Sequence, residues 1–193
     1  MKRVLIISTL TGFLLVYSLN VFSQTCNNAI TPTSPTSRFI LSNNGTATDL
    51  KTGLTWMRCS LGQSWTGSQC TGMVTGFNWQ EALDMAESYT FADKSDWRLP
   101  NVKELASIIE KSCQNPAINE GVFPDTFFDA GFSGSTTQTG EFYRTSSSSA
   151  TFPSLVWLVW FKNGSVTTKW SPSEENYSHK GNKQPVRLVR SGQ

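Results

Sequence analysis

Two short helices joined by a fixed corner constrain this fold more than any other feature of the sequence. Asn78 precedes one amphipathic stretch, with Glu81 three residues later, and Asn101 and Glu104 repeat the arrangement before a second stretch. Each pair has the spacing of a capping box, in which two side chains satisfy free amides at the start of a helix. Pro100 disfavours helix at the residue before it, so the two stretches form separate helices.

Both stretches present one apolar face, which identifies the surface that packs against a core. The apolar residues recur at helical spacing. They are Trp79, Ala82, Leu83 and Ala86 in the first stretch, and Val102, Leu105, Ile108 and Ile109 in the second. We therefore predict two amphipathic helices, each with one buried face.

Residues 1–23 are typical of a secretion signal. Lys2 and Arg3 supply a positive start, residues 4–16 form an apolar run, and a cleavage site precedes Gln24. An uncleaved membrane anchor is the alternative, but the apolar run is short for a transmembrane helix, and no later stretch is long enough. We expect an exported protein in the periplasm, at the cell surface or outside the cell, with no membrane span after cleavage.

The exported chain has a balanced charge. Two of the 16 Lys and Arg residues lie in the signal, whereas all 14 Asp and Glu residues lie beyond it. A chain without net positive charge has no bulk attraction to nucleic acid or to anionic membranes, so neither is an expected partner.

Four cysteines in an exported chain predict two disulfides, for which three connectivities exist. Cys59 and Cys70 flank a loop rich in Gly, Ser and Gln, which favours pairing them with each other and leaves Cys26 with Cys113. A metal site is the competing interpretation, but no Cys-x-x-Cys occurs and the single histidine, His179, is distant in sequence. We predict no metal and no cofactor.

The rest of the chain reads as one domain, residues 38–193, preceded by an extended polar tail, 24–37. Turn signals separate the predicted strands, and the run at 155–161 is apolar on both faces, as in a central strand. The predicted strands are residues 38–42, 46–49, 54–58, 141–149, 155–161, 165–170 and 185–190.

The order of these elements resembles the C-terminal domain family of the Legionella collagen-like adhesin. The matching stretches are residues 44–56, 78–86, 96–105, 115–119 and 186–190. This resemblance implies an α+β, C-type-lectin-like fold, with two short helices flanking a small mixed or antiparallel sheet and a long loop region. It also implies a role in cell-surface adhesion. Residues 98–101 are similar to a motif of formylglycine-generating enzymes, but the late cysteine pair of those enzymes is absent because Cys113 is the last cysteine.

Three kinds of chemistry are poorly supported by the residues. Calcium-dependent sugar binding needs oxygen ligands that converge on the ion, and the sequence Gln-Pro-Val at 184–186 has none at its third position. A serine nucleophile in the run 146–149 would have only His179 as its base. Paired carboxylates, such as Asp84 with Glu87, fit a solvated helix surface. We therefore predict that the protein is not an enzyme.

Binding residues are expected on a face near the C terminus. Most tryptophans fit a core, whereas Trp65 and Trp170 border polar loops and are better placed for exposed contacts. The candidate ligand-binding residues are Arg144, Trp170, Tyr177, His179, Lys180 and Lys183. A basic patch would suit a sulfated or carboxylated polysaccharide, and its members are Lys169, Lys180, Lys183, Arg187 and Arg190. The alternative is a solvated loop whose charges are offset by Glu174 and Glu175.

The resulting hypothesis is a non-catalytic binding module for a surface glycan, including sulfated polysaccharide, or for a cell-surface protein. The alternative is a structural envelope or oligomerisation subunit that binds no glycan. The partners considered include a second copy of the chain.

Overall fold

A computed structural model describes residues 24–126, 142–168 and 178–192. The predicted secretion signal, Trp170 and Tyr177 lie outside these residues. The strands are β1 (Thr25–Cys26), β2 (Phe39–Leu41), β3 (Thr46–Asp49), β4 (Leu54–Met57), β5 (Ser64–Trp65), β6 (Cys70–Thr71), β7 (Gly76–Phe77), β8 (Cys113–Gln114), β9 (Phe142–Ser148), β10 (Val156–Trp160), β11 (Ser165–Thr167), β12 (Gln184–Pro185) and β13 (Val189–Ser191). The α-helices are α1 (Trp79–Ser88) and α2 (Val102–Ala106), and a short 3-10 helix spans Thr36–Arg38.

The architecture is α+β, as predicted, with small antiparallel sheets. One sheet has the order β2-β3-β4-β13 and another the order β9-β10-β11, and three two-stranded pairs join β1 to β8, β5 to β6 and β7 to β12. The strand predicted as central, β10, lies between β9 and β11. Within the described ranges, neither helix is long and apolar enough to cross a membrane.

Both predicted capping boxes are present. Asn78 Oδ1 accepts the Glu81 amide at 2.9 Å, and Glu81 Oε2 accepts the Asn78 amide at 2.8 Å. Asn101 and Glu104 make the same reciprocal pair at 2.9 and 2.8 Å. The start of each helix is therefore determined locally, by residues that are neighbours in sequence.

The second helix is shorter than its apolar spacing predicts. It ends at Ala106, because the amides of Ile108 and Ile109 donate to carbonyls three residues back, those of Leu105 and Ala106. This tightened turn still buries Ile108 and Ile109, and Ile109 then forms a β-bridge with Ile118. The apolar pattern correctly identifies the buried positions, but a tight turn replaces the last part of the helix.

The predicted final strand is divided in two. β12 pairs with β7, β13 pairs with β4, and residues 186–188, the crossing segment, pass from one pairing to the other. The Val186 carbonyl accepts the Leu61 amide at 2.9 Å, and the Leu188 carbonyl accepts the Met57 amide at 3.1 Å. A continuous apolar run does not reveal this division, because the change of partner is non-local.

Arg187 lies in the crossing segment and is fully buried. Its Nη1 donates to the carbonyls of Met57 and Arg58, and its Nη2 donates to Thr126 Oγ1 at 2.8 Å. The guanidinium carbon lies 4.9 Å from the centre of the Phe123 ring. Burial lowers the pKa of Arg187, and in the described part of the chain neutral oxygens and rings surround its charge in place of a carboxylate.

Two apolar clusters form the core. One cluster contains the fully buried Trp56 and packs Leu105 of α2 against β9 and β10. The other packs Ala86 of α1 against Trp97 and the apolar residues of the crossing segment. Each predicted helix therefore has its own buried face.

The segment predicted as a polar tail is attached to the domain at several points. Gln24 Nε2 donates to two carbonyls of the segment 116–118, at 2.7 and 2.6 Å. The amides of Thr33 and Ser34 donate to the carboxylate of Glu110 at 3.0 and 2.8 Å. The tail is therefore attached to the domain near both of its ends, and it contains a turn, in which the Ile30 amide donates to the Asn27 carbonyl, and the start of the 3-10 helix.

Two disulfides are present, and they join Cys26 to Cys113 and Cys59 to Cys70. The first lies between the paired strands β1 and β8, so it fastens the start of the tail to the segment after α2. The second closes the loop that carries β5 and β6.

Stability is expected to fall in acid because a buried carboxylate is stabilised as an anion. Burial alone would raise the pKa of Asp49, but hydrogen bonds from Arg38, Thr52 and Lys51 outweigh it, so the pKa is lowered. A lowered folded-state pKa contributes stability above the unfolded value, about 4, and this stability is lost as the pH falls through the folded value. Urea unfolding should give a lower free energy of unfolding at pH 3 than at pH 6. The Asp49→Asn variant should show a smaller difference; an equal difference would contradict this assignment.

A second prediction concerns the tight turn between Phe91 and Lys94. Ala92 and Asp93 have positive φ values of 52° and 58°, and the flanking residues exchange backbone hydrogen bonds, as in a type I′ turn. Alanine adopts this conformation at a cost of about 1 kcal/mol, whereas asparagine tolerates it. Ala92→Asn should therefore raise the free energy of unfolding by about 0.5 kcal/mol or more in urea titrations. Ala150→Asn, at an exposed position without positive φ, is the control, and an equal gain there would argue against the explanation.

Candidate functional site

Three of the predicted ligand-binding residues lie on a loop that is well anchored to the domain. His179 and Lys183 are exposed, and Lys180 is half-buried. His179 forms a β-bridge with Leu155, and the Lys180 amide donates to the Ser154 carbonyl at 3.0 Å. These contacts place the loop directly beside the one that precedes β10.

The same loop contacts the start of α1. The Trp79 amide donates to the Lys180 carbonyl at 2.8 Å, and Lys180 Nζ lies 4.2 Å from the centre of the Trp79 ring. This distance is typical of a cation–π contact. The ammonium group is therefore held over an aromatic ring.

An exposed aromatic residue lies on the neighbouring loop. Phe152 is 54% exposed, although its turn is ordered: the Phe152 amide donates to Ser149 Oγ at 3.2 Å, and the Leu155 amide donates to the Phe152 carbonyl at 2.8 Å. Aromatic residues are enriched at binding interfaces relative to other surfaces. The exposed and half-buried residues of these two neighbouring loops and of the start of α1 that are proposed for contact are here called the C-terminal rim: Trp79, Phe152, His179, Lys180 and Lys183.

Arg144 lies beneath the rim and not on its surface. The side chain is fully buried, which corrects the expectation that it contacts a ligand directly. Its Nε donates to the Phe77 carbonyl at 3.2 Å, and its Nη2 donates to the carbonyls of His179 and Asn182. Burial lowers the pKa of Arg144 to about 10, while the charge of Glu81 acts in the opposite direction. The guanidinium stays charged at neutral pH and ties the loop to β7.

The predicted basic patch does not form as a unit. Arg187 is in the core, and Arg190, whose Nε donates to Asp96 Oδ1 at 2.7 Å, is nearly buried. Lys169 lies outside the described residues. The chain turns inward after Lys183, so two of the four predicted cations that the structure describes, Lys180 and Lys183, lie in the rim.

Trp65 is half-buried and packs against neighbouring residues at the surface of the domain. Its Nε1 donates to the Asn43 carbonyl at 2.9 Å, and the Arg58 guanidinium lies 4.1 Å from the ring centre. A Cβ at Gly45 would lie 2.8 Å from Trp65 Cγ, so only glycine fits against this ring. Trp65 therefore holds the disulfide loop against the turn at Gly45; its side chain is half-buried, and a role in exposed contact stays a prediction.

Two hydroxyl groups in or next to the serine run at 146–149 hold backbone groups in place. Thr145 Oγ1 donates to the Trp157 carbonyl at 2.7 Å, and Ser147 Oγ accepts the Val102 amide at 3.0 Å at the start of α2. These contacts assign the hydroxyls to local structure.

The imidazole of His179 also has a structural contact, because its Nδ1 accepts the Gly181 amide at 3.0 Å. The other ring nitrogen, Nε2, takes no part in this contact. Across residues 24–126, 142–168 and 178–192, no group of three His, Cys, Asp or Glu side chains is arranged to hold a metal ion.

Two residues of the rim are not predicted as contact residues from the sequence. The exposure of Phe152 has a signal in the sequence, since an aromatic residue followed by Pro153 within a polar stretch favours an exposed turn. Trp79 fits a core by its helical spacing, yet it is half-buried beneath Lys180. The contact between residues 79 and 180 depends on the β7–β12 pairing, for which the sequence has no local signal.

Removing the Arg144 guanidinium should loosen the rim. Arg144→Met removes the donor that the Phe77, His179 and Asn182 carbonyls share, and truncating a buried, hydrogen-bonded charge costs about 3 kcal/mol. We expect a lower free energy of unfolding and faster amide hydrogen exchange at Trp79 and Lys180. Arg98→Met removes a partly exposed ion pair with Glu104 and should cost about 1 kcal/mol or less. Unchanged exchange at Trp79 in Arg144→Met would rule out the anchoring role.

A match to a protein-family model identifies the family to which this chain belongs. The family model described as the Lcl C-terminal domain matches residues 45–190, a span that contains both helices and all rim residues. No curated protein and no solved structure matches the chain, and the C-type-lectin-like superfamily stays a prediction. Because the matched span exceeds half of the sequence, this chain belongs to the Lcl C-terminal domain family, named for the Legionella collagen-like adhesin.

Proposed function

We propose that this protein is an exported, non-catalytic adhesion module whose C-terminal rim binds a surface glycan or a partner protein. The family is an adhesin-associated domain that is not known as catalytic, and the two disulfides fit an exported protein. The observation that carries the proposal is the exposure of Phe152 on a loop bonded to the one with His179 and Lys180. The proposed location is the periplasm, the cell surface or the extracellular space.

The rim has chemistry that suits a sugar or a polar protein surface. The apolar face of Phe152 fits the C–H face of a pyranose ring, and the Lys180 and Lys183 ammonium groups donate hydrogen bonds to hydroxyl, carboxylate or sulfate oxygens. His179 accepts a backbone amide through Nδ1, so Nε2 is the nitrogen available to a ligand. The proposed binding residues are therefore these four, with Arg144 as their support.

An anchored rim lowers the entropic cost of binding. Arg144 holds the carbonyls of residues 179 and 182, and Trp79 holds the carbonyl of Lys180. Because these backbone positions are ordered before a ligand arrives, less conformational entropy is lost on binding. Sulfated polysaccharide stays one candidate ligand, with a charge contribution from the rim lysines that would weaken as salt increases.

A structural role is the second candidate, and a different surface favours it. β2 lies at the edge of its four-stranded sheet, and Ile40 of this strand is 58% exposed. Leu50, whose amide donates to the Arg38 carbonyl, is 62% exposed. An exposed edge strand with apolar side chains is suited to pairing with another chain. In this alternative the protein is an envelope or oligomerisation subunit, and the rim binds no glycan.

The test is binding of the mature protein, residues 24–193, to a glycan array and to intact cell surfaces, with and without chelator. Phe152→Ala combined with Lys180→Ala should reduce retention at least about tenfold, the loss expected for about 1.4 kcal/mol of binding free energy. Met73→Ala combined with Lys103→Ala removes an exposed apolar residue and an exposed cation elsewhere and should leave retention unchanged.

Equal retention by the two double variants would overturn the rim as the binding surface. Concentration-dependent oligomerisation in sedimentation experiments, lost in Ile40→Asp and accompanied by no retention on any surface, would support the structural alternative.

A further inference from the structure

A concave surface on the N-terminal side of the domain shares no residue with the C-terminal rim. It is a cavity of about 310 Å³ between the segment that begins at Gln24 and the segment 110–119. The disulfide between Cys26 and Cys113 forms part of its wall. This volume is at the lower end of the range for small-molecule sites.

The chemically distinctive group in the wall is the carboxylate of Glu110. Glu110 is 4% exposed, and among the described residues no Lys, Arg or His lines the cavity. Its Oε1 accepts hydrogen bonds from the amides of Thr33 and Ser112 and from Ser112 Oγ, whereas Oε2 accepts the Ser34 amide. Burial acts to raise the pKa of Glu110, but these hydrogen bonds outweigh it and lower the pKa. The group is an anion at neutral pH, and Oε2 retains capacity for another donor.

The side-chain amides of the wall are largely used within the chain, since Asn27 Oδ1 accepts the Ala29 amide and Asn119 Oδ1 accepts the Gly121 amide, both at 2.9 Å. Gln24 uses Nε2 for two main-chain carbonyls, and Asn119 uses Nδ2 for the Ser34 carbonyl and for Thr36 Oγ1. Asn28 is exposed, and its side chain makes no hydrogen bond within the described residues. The charged group among the described lining residues is the Glu110 carboxylate, so a ligand complementary to the cavity carries a cationic donor.

The remaining wall is apolar. Ile30, Pro32 and Pro35 line the cavity together with the disulfide, and Ile30 is 44% exposed. A ligand that fits has a compact body to cover these side chains and a cationic donor at one end. We propose that this cavity binds a small primary ammonium compound, an amino sugar, with its ammonium group at Glu110 Oε2 and its ring against Ile30 and Pro32.

The experiment uses three sugars that differ at one position: glucosamine, N-acetylglucosamine and glucose. Titration of the mature protein at pH 6.5, followed by calorimetry or by amide chemical shifts, should show binding of glucosamine alone. N-acetylglucosamine carries no charge at its nitrogen, and glucose has a hydroxyl group at that position. Neither sugar can therefore form the ammonium–carboxylate contact.

Two variants test the wall directly. Glu110→Gln removes the charge and should weaken glucosamine binding about tenfold or more, and Asn28→Ala should weaken it about threefold. Asn43→Ala, an exposed asparagine outside the cavity, should bind as the parent does. If circular dichroism shows that Glu110→Gln does not fold, the test is the glucosamine affinity of Asn28→Ala compared with that of Asn43→Ala. Equal affinities of these two variants would overturn the inference.

No binding of glucosamine at millimolar concentration would overturn the inference, as would equal binding of N-acetylglucosamine. Glucosamine binding that is unchanged in a folded Glu110→Gln variant would also overturn it. The rim variant Phe152→Ala with Lys180→Ala should keep its glucosamine affinity, which separates this site from the adhesion surface.

Discussion

The corner formed by residues 97–101 is the contact on which the rest of the structure depends. Arg98 exchanges two backbone hydrogen bonds with Val189, at 2.8 and 3.0 Å, and so fixes β13 to the start of α2. The Pro100 carbonyl accepts the Ser146 amide at 2.8 Å, which brings β9 to the same point. The buried tryptophan of the corner packs in the core cluster of α1. Three separate parts of the chain thus meet at one short segment.

The corner also determines where the rim lies. β13 holds the end of the crossing segment, β12 pairs with β7, and β7 leads directly into α1 at Trp79. The loop that carries Lys180 is therefore bounded by elements with fixed partners on both sides. In the proposed function its side chains contact a ligand while its backbone stays in place, as in a binding loop on a rigid scaffold.

Local features of this fold are predictable from the sequence, whereas long-range ones, apart from the disulfide between Cys26 and Cys113, are not. The capping boxes at Asn78 and Asn101 depend on residues three positions apart, so a spacing rule is sufficient. The burial of Arg144 depends on carbonyls of β7 and of the rim loop, which sequence spacing does not reveal. The turn at Ala92 has no sequence signal because alanine is rare at positive φ. The resemblance identifies the family correctly, whereas the proposed binding residues depend on contacts between loops.

The way in which Arg144 holds the loop has a consequence for how such a surface diversifies. The guanidinium contacts main-chain oxygens, and every amino acid supplies the same oxygen at residues 179 and 182. Substitutions of the outward-facing side chains therefore leave the anchor unaltered. The side chains of the proposed binding surface can thus vary in sequence without loss of the hydrogen bonds that hold its backbone.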